Sequence, residues 1–435
     1  MITKSPLTLS TEFKDVLDQM ERTSDHLFVT GRAGTGKSTL LHIFRSTTQK
    51  KVVVLAPTGI AALNVRGQTI HSFFRFPPRM LNKSEIRKQP NASLYKSIQA
   101  IIIDEVSMVR ADIMDNIDYF LRVNRGSELP FGGVQMYFFG DLFQLPPVLA
   151  SQFEREYFRV HYKTPYFFSS EVITHRVQDL KMLELHHVYR QEERRFINLL
   201  DTIRLNQIEE DDLILLNSRY QLIPSETKYH ITLCATNATA DAINRAALQS
   251  LDTPFFNYTA IVTGAFDPRL FPTDQILMLK VGAQVMFIKN DMERRYVNGT
   301  IGSVVRLDDK IAYISILNSN NEEKEIPIYQ EEWEIIKYIR NDKNPKEIDV
   351  EVVGTFTQFP IKLAWAITIH KSQGKTFDRV IIDLGYGAFE FGQTYVALSR
   401  CRTLDGIYLR KPIKPKDIMI DNAVEEYYDF MRRYS

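Results

Sequence analysis

Residues 31–39, GRAGTGKST, restrict what this chain can become more than any other stretch. They carry the spacing G-x-x-x-x-G-K-S through Gly31, Gly36, Lys37 and Ser38. The apolar run HLFVTG at 26–31 precedes them, and a segment of helical character at 37–47 follows. In a strand–loop–helix setting this spacing is a phosphate loop. Its glycines let backbone N–H groups turn inward around phosphate oxygens. The helix N-terminus adds a positive partial charge at the same place. Lys37 can reach the β- and γ-phosphates, and the Ser38 hydroxyl can ligate magnesium. Gly31, Gly34, Thr35, Gly36, Lys37, Ser38 and Thr39 are thus the expected contacts for ATP with Mg2+.

The neighbouring pattern fits that loop. Apolar runs at 51–57, 98–105 and 134–141 are continuous rather than alternating, which suits a parallel sheet covered on both faces. The pattern restarts with a strand at 229–236, a capped helix beginning at Asn237, and strands at 379–385 and 405–411. Between these, short runs at 283–290, 300–307 and 311–317 are separated by turn residues, as in a small all-β insertion. A length of 435 residues implies two to four domains.

Composition excludes several classes. Cys234 and Cys401 are the two cysteines, too few for a disulfide framework or a cysteine-rich zinc site, and a reducing compartment is expected. No apolar run reaches membrane-span length, and the N-terminus lacks an apolar signal core. The formal net charge is +1, so any contact with nucleic acid must be local.

Asp104 and Glu105 end the apolar run at 98–105, where open α/β sheets bind ligands. Asp104 is expected to hold the magnesium and Glu105 to take a proton from the attacking water. Gln144, in GDLFQLPPV, has an amide suited to both a γ-phosphate oxygen and that water.

The strings GRAGTGKST, APTGIAA (56–62), HSFF (71–74), IIIDEVSMV (101–109), GDLFQLPPV, VYRQ (188–191), TIHKSQGKTFD (368–378) and YVALSRCR (395–402) occur in that order. Together they resemble superfamily one helicases, and within them the petite-integration-frequency (Pif) family, over about residues 9–410. The resemblance implies an α/β fold: two RecA-like P-loop NTPase cores, with a small insertion in the first and an SH3-like β-barrel insertion in the second. The corresponding boundaries are 1–63 and 77–180 for the first core and 64–76 for its wedge element. They are 181–252 and 354–435 for the second core and 253–353 for the barrel. It also implies a monomer moving 5′→3′ on single-stranded DNA and acting on forked duplexes, RNA–DNA hybrids and G-quadruplexes. Its compartment would be the cytoplasm with the nucleoid in a bacterium, or the nucleus in a eukaryote.

By the same resemblance Arg190 and Arg400 reach the γ-phosphate from the second core, and Gly374 lies near the phosphates. A guanidinium crossing a cleft would make hydrolysis depend on closure. GKT at 374–376 imitates a second phosphate loop, but Ile369 stands where its first glycine would be. The family's adenine-reading glutamine is replaced: Leu9, Ser10, Thr11 and Glu12 are followed by Phe13, which reads as helix core.

For the DNA path, the resemblance points to Thr58 and Gly59; His71 and Phe74 stand among aromatic and basic residues that suit base stacking, with at least one of the phenylalanines expected in the core. In the second core it points to His370, Lys371 and Ser372. Thr236 and Asn237, opening a helix, suit a phosphate clamp. Lys289 and Asn298 lie in the insertion. The amphipathic segment 197–207 carries Arg204 and is read as packing and orienting the second core. Two readings compete. A Dda-type or RecD-type helicase fits the superfamily, and a nucleotide-gated DNA-binding switch fits the loop. Intact Glu105, Gln144 and Arg400 favour an enzyme, and TIRLN (202–206) favours the Pif family.

Overall fold

The computed structural model describes residues 9–434, apart from residues 91, 177–179, 221, 225–226, 292, 319–321 and 342–347. Residues 1–8, read above for a signal core, and Met292, between Lys289 and Asn298 of the insertion, lie outside the described residues. Among those described, no helix is long and apolar enough to cross a membrane.

Strands β1 (His26–Gly31), β2 (Val52–Ala56), β3 (Gln68–Thr69), β4 (Ala100–Ile103), β5 (Gln135–Phe139) and β6 (Leu180–Leu185) form one sheet in the order β3-β2-β4-β5-β1-β6. Every neighbouring pair is parallel. The inner strands β2, β4 and β5 are buried along nearly their whole length, which is why their sequences run apolar without alternation. All strands point the same way, so their C-terminal ends gather the phosphate loop after β1, Thr58 after β2, Asp104 and Glu105 after β4, and Asp141 after β5.

A second parallel sheet runs in the order Ala366–Thr368, Ile231–Cys234, Val380–Asp383, Ile407–Leu409. The C-terminal ends of its first two strands carry His370–Ser372 and, beside them, Thr236 and Asn237. The helix Arg194–Arg204 packs Phe196, Leu199, Leu200 and Ile203 onto this second core.

The inserted strands are antiparallel and lie in sheets of five, three and two strands. That is the coarser part of the expected barrel. One long hairpin, Glu331–Arg340 with Ile348–Gln358, leaves the insertion and docks on the first core. There Tyr338 enters the core cluster and its hydroxyl accepts a hydrogen bond from Val54 N at 3.1 Å.

Three expected boundaries shift. β6 extends the first core to residue 185. The C-terminal helix Asn422–Tyr434, expected in the second core, buries Val424, Tyr428 and Met431 in the first-core cluster. Within residues 64–76, expected as a small wedge element, Ile70, Phe73, Phe74 and Phe76 are buried in that same cluster. Each shift has one cause. An apolar stripe packs on the surface nearest in space, and sequence order alone does not fix which that is.

Candidate nucleotide site and nucleic-acid path

The loop after β1 follows from two left-handed glycines, Gly34 at φ 89° and Gly36 at φ 83°. A Cβ on Gly34 would fall 2.6 Å from Arg190 Cβ, so glycine there lets the second-core connection lie against the loop. The Gly34 carbonyl accepts from Tyr189 N at 2.9 Å. Gly36 opens the helix Lys37–Thr47 and faces the rings of Phe13 and Tyr189, which meet edge-to-face at 5.8 Å. Phe13 is buried with Val16 and Met20, as helix core.

A cavity of about 380 Å3 opens beside the loop. Gly34, Gly36, Lys37, Ser38 and Thr39 line it from the first core with Glu105 and Gln144, and Arg190, Gly374 and Arg400 line it from the other side. Gly31 and Thr35 support the loop instead. The Gly31 carbonyl accepts from Lys37 Nζ at 2.7 Å, and Thr35 Oγ1 donates to Arg32 O at 3.0 Å. Burial lowers the Lys37 ammonium to about 8, against the opposing pull of Asp141 and Glu105. A polyphosphate entering here would hold its charge in place.

Burial, with the charge of Glu105 next, raises Asp104 to about 7. Burial raises Glu105 as well, against the pull of Lys37 and Arg400. Glu105 holds a left-handed φ of 51°, a strained backbone for a non-glycine residue. A buried Asp104 beside a half-buried Glu105, both pushed up by burial, suits a cation. Ser38 and Asp104 both line an adjoining cavity of about 450 Å3. One hydroxyl and one carboxylate, completed by phosphate oxygens and water, is the donor set magnesium accepts.

The two second-core arginines share one anchor. Arg190 Nη1 donates to Ser399 O at 3.0 Å, and Arg400 Nη2 donates to Ser399 Oγ at 2.8 Å. Burial, then the charge of Arg400, lowers Arg190 to about 9. Arg400 is almost wholly buried, and burial lowers it too. Two like charges packed together at a cavity wall call for an anion between the cores.

Sequence reasoning missed a polar cluster beneath the cavity. Asp141 Oδ1 accepts from Arg204 Nη2 at 3.0 Å, both side chains being buried. Its Oδ2 accepts from Tyr395 Oη at 3.3 Å and from Gln144 Nε2 at 3.4 Å. Tyr395 Oη also accepts from Ala33 N in the phosphate loop at 2.9 Å. Burial pushes Asp141 up, but the Arg204 and Lys37 charges outweigh it and hold the carboxyl below its ordinary range. The available signal was an aspartate three positions before Gln144 and an arginine on an otherwise apolar helix face.

Comparison with known proteins agrees with this geometry. Residues 8–213 match the family model described as PIF1-like helicase. The ATP-dependent DNA helicase Pif1 of Campylobacter jejuni is 30% identical, across 95% of this chain and 97% of that one. The chain belongs to the Pif1-like helicase family. The Xenopus laevis ATP-dependent DNA helicase PIF1 is 32% identical over 98% of this chain, which spans 65% of that relative's length. A Bacteroides Pif1 structure in complex with ADP-AlF4 superposes with a TM-score of 0.89 at 37% identity, covering 98% of each chain. The Bacteroides protein bound to single-stranded DNA gives 0.67 at 39% identity, covering 98% of this chain and 97% of that one.

The residues expected on DNA divide. Thr58, His370, Lys371 and Asn298 all line the 450 Å3 cavity. Thr58 and Thr236 cap their helices, accepting from Ala61 N and Thr239 N. Asn237 follows as the first residue of its helix. Gly59 is covered by Leu270 of the insertion, which lies 2.2 Å from where a Cβ would stand. His370 Nε2 is 2.9 Å from Glu390 Oε2. Lys289 pairs with Glu331 at 2.8 Å over the Trp333 ring. His71 is partly buried, and burial lowers its pKa. Two expectations fail. Phe74 is 1% exposed and stacks on Phe76 within the core, so its ring is not offered to a base. Ser372 is buried, and its hydroxyl donates to Ile369 O at 2.6 Å.

Proposed function

We propose that this chain is an ATP-driven DNA helicase that moves 5′→3′ along single-stranded DNA and unwinds forked duplexes, RNA–DNA hybrids and G-quadruplexes as a monomer. The observation that carries the reading is the convergence of Arg190 and Arg400 on a cavity whose opposite wall holds Lys37 and Glu105. A nucleotide bound there would be gripped by both cores at once.

The chemistry follows from those side chains. Lys37 and the loop amides bind the β- and γ-phosphates. Magnesium, held by Ser38 and Asp104, would supply Lewis-acid charge on the phosphate oxygens. Gln144 orients the attacking water, and Glu105 accepts its proton. Arg190 and Arg400 neutralise the charge that develops in the transition state. Release of phosphate removes the anion that both cores grip, which favours reopening. Alternating closure and reopening would walk two strand grips past each other.

In the present arrangement the inserted hairpin rests on the first core and Leu270 covers Gly59. The lower superposition score of the DNA-bound Bacteroides protein supports reading this arrangement as the strand-free one. The working location would then be wherever DNA is, the nucleoid or the nucleus. The deciding experiment is unwinding of duplexes with a 5′ or a 3′ single-stranded tail, with ATP and magnesium. Unwinding of the 5′-tailed substrate alone is expected. Preference for the 3′ tail, or no unwinding of either, overturns the reading.

A further inference from the structure

The short helix Gln393–Ser399 of the second core is buried at every residue and touches the nucleotide site along its whole length. It begins on the Gln144 loop. Gly392, at φ 69°, opens the helix, and a Cβ there would fall 2.4 Å from Phe143 O and 2.6 Å from Gln144 O. Glycine is what lets the two backbones lie so close. The last residue, Ser399, anchors Arg190 and Arg400. Between these ends stands Tyr395, whose hydroxyl crosses to Ala33 of the phosphate loop and to Asp141.

The hydrogen bonds around Asp141 run in one direction. A backbone N–H donates, so the Tyr395 oxygen accepts from Ala33 N at 2.9 Å. The phenolic proton is then free for Asp141 Oδ2, 3.3 Å away. Burial, with the Asp141 charge next, raises the Tyr395 phenol, so it keeps that proton. The Arg204 and Lys37 charges outweigh burial and keep Asp141 ionised. An ionised carboxylate only accepts. Arg204 occupies its Oδ1 at 3.0 Å, which leaves Oδ2 for Tyr395 and for Gln144 Nε2 at 3.4 Å. The opposite turn of the Gln144 amide would set two acceptors against each other with no proton between them. Its nitrogen therefore faces Asp141, and its Oε1 is left for the nucleotide cavity that the residue lines.

We propose that Tyr395 is a positioning residue for ATP hydrolysis, which through Asp141 fixes the Gln144 amide with its oxygen toward the attacking water. The inference rests on the reading of Gln144 as the residue that orients this water. It adds a direction to that reading: Gln144 meets the water as an acceptor. With one O–H on Gln144 and the other on Glu105, the water's lone pair is left for phosphorus. The helix that anchors the two arginines thus also sets the water. Moving Gln393–Ser399 away from the phosphate loop would withdraw that anchor and release Gln144 in one step, which confines hydrolysis to closed cores.

Tyr395→Phe removes one oxygen and keeps the ring. Binding of a fluorescent ATP analogue, ATPase at saturating oligo-dT, and thermal unfolding would be measured on the whole chain. Tyr395→Phe should lower kcat by about tenfold, the loss of one well-placed hydrogen bond, and change nucleotide affinity by no more than about twofold. In a Gln144→Ala background it should have no further effect on kcat. Gln144→Glu keeps an acceptor for the water but loses the donor to Asp141, and should turn over as slowly as Gln144→Ala.

An unchanged kcat in Tyr395→Phe overturns the proposal, whatever happens to the unfolding midpoint. Weakened nucleotide binding at an unchanged kcat does so too, because the hydroxyl would then serve the Ala33 amide alone. Losses that multiply in the double variant, or unimpaired turnover in Gln144→Glu, also overturn it, the latter without any change at Tyr395. Normal turnover in Gln144→Ala would instead overturn the water-orienting reading on which the inference stands.

Discussion

Asp141 and Arg204 form a buried ion pair between the two cores, 3.0 Å apart, with the guanidinium also 4.3 Å above the Phe143 ring. One partner lies just after the first-core strand β5 and the other ends the second-core helix Arg194–Arg204. The pair links the Gln144 loop and the phosphate loop, through Tyr395, to the body that carries Arg190 and Arg400.

Breaking such a pair strands a buried charge, which costs about 3–5 kcal/mol. Arg204→Met and Asp141→Asn should each lower the unfolding midpoint clearly, and the double variant should lose less than the sum. Thermal unfolding of the three variants checks this. Strict additivity would mean that the two groups do not hold each other.

That pair marks the limit of what could be read from the sequence. The candidate nucleotide site was legible because a phosphate loop and a strand-end Asp-Glu are local patterns, and β1 and β4 lead into them. Arg190 and Arg400 were reachable only through resemblance, since no spacing links them to Lys37. The Asp141–Arg204 pair, the placement of helix Asn422–Tyr434 and the hairpin docked through Tyr338 depend on which surfaces meet in space. An amphipathic helix shows that it packs but not against what.

The catalytic assignment makes three variants behave differently. Lys37→Ala should abolish ATP hydrolysis. Glu105→Gln should bind ATP and DNA yet turn over slowly, because the amide cannot accept the water's proton. Arg400→Ala should retain nucleotide binding and lose DNA-stimulated turnover by about 10³-fold or more. Nucleotide binding and steady-state ATPase with and without oligo-dT separate them. Normal ATPase in Arg400→Ala would overturn the cross-cleft role.

Strand affinity should depend on pH through Lys375. Its ammonium donates to Asn298 Oδ1 at 2.8 Å, beside the 450 Å3 cavity. Burial lowers it to about 7, with Lys362 as the charged neighbour, itself influenced by Lys371 and Asp274. A phosphate arriving nearby raises that pKa, so binding takes up a proton. Affinity should therefore fall as pH rises from 6.5 to 8.5, and Lys375→Met should flatten the trend. Oligo-dT titrations in two buffers of different ionisation enthalpy measure the proton uptake. An unchanged profile in the variant would assign it to another group.

Phe74 gives the sharpest contrast between a ring that holds the fold and a ring that holds a base. It packs against Phe73, Phe76 and Phe120 in the first-core cluster. Truncating a buried phenylalanine costs about 3–5 kcal/mol, because the cavity left behind collapses only partly. A ring that stacked on a base would behave in the opposite way, with a small stability cost and strand affinity lost by about 1–3 kcal/mol per base. Phe74→Ala should thus lower the unfolding midpoint strongly, and the folded fraction, measured at low temperature, should bind oligo-dT like the unsubstituted chain. Phe74→Leu, which keeps most of the volume, should recover much of the stability. Weakened strand binding with a normal unfolding midpoint in Phe74→Leu would return this ring to the DNA path and require the 70–76 segment to open when the strand enters.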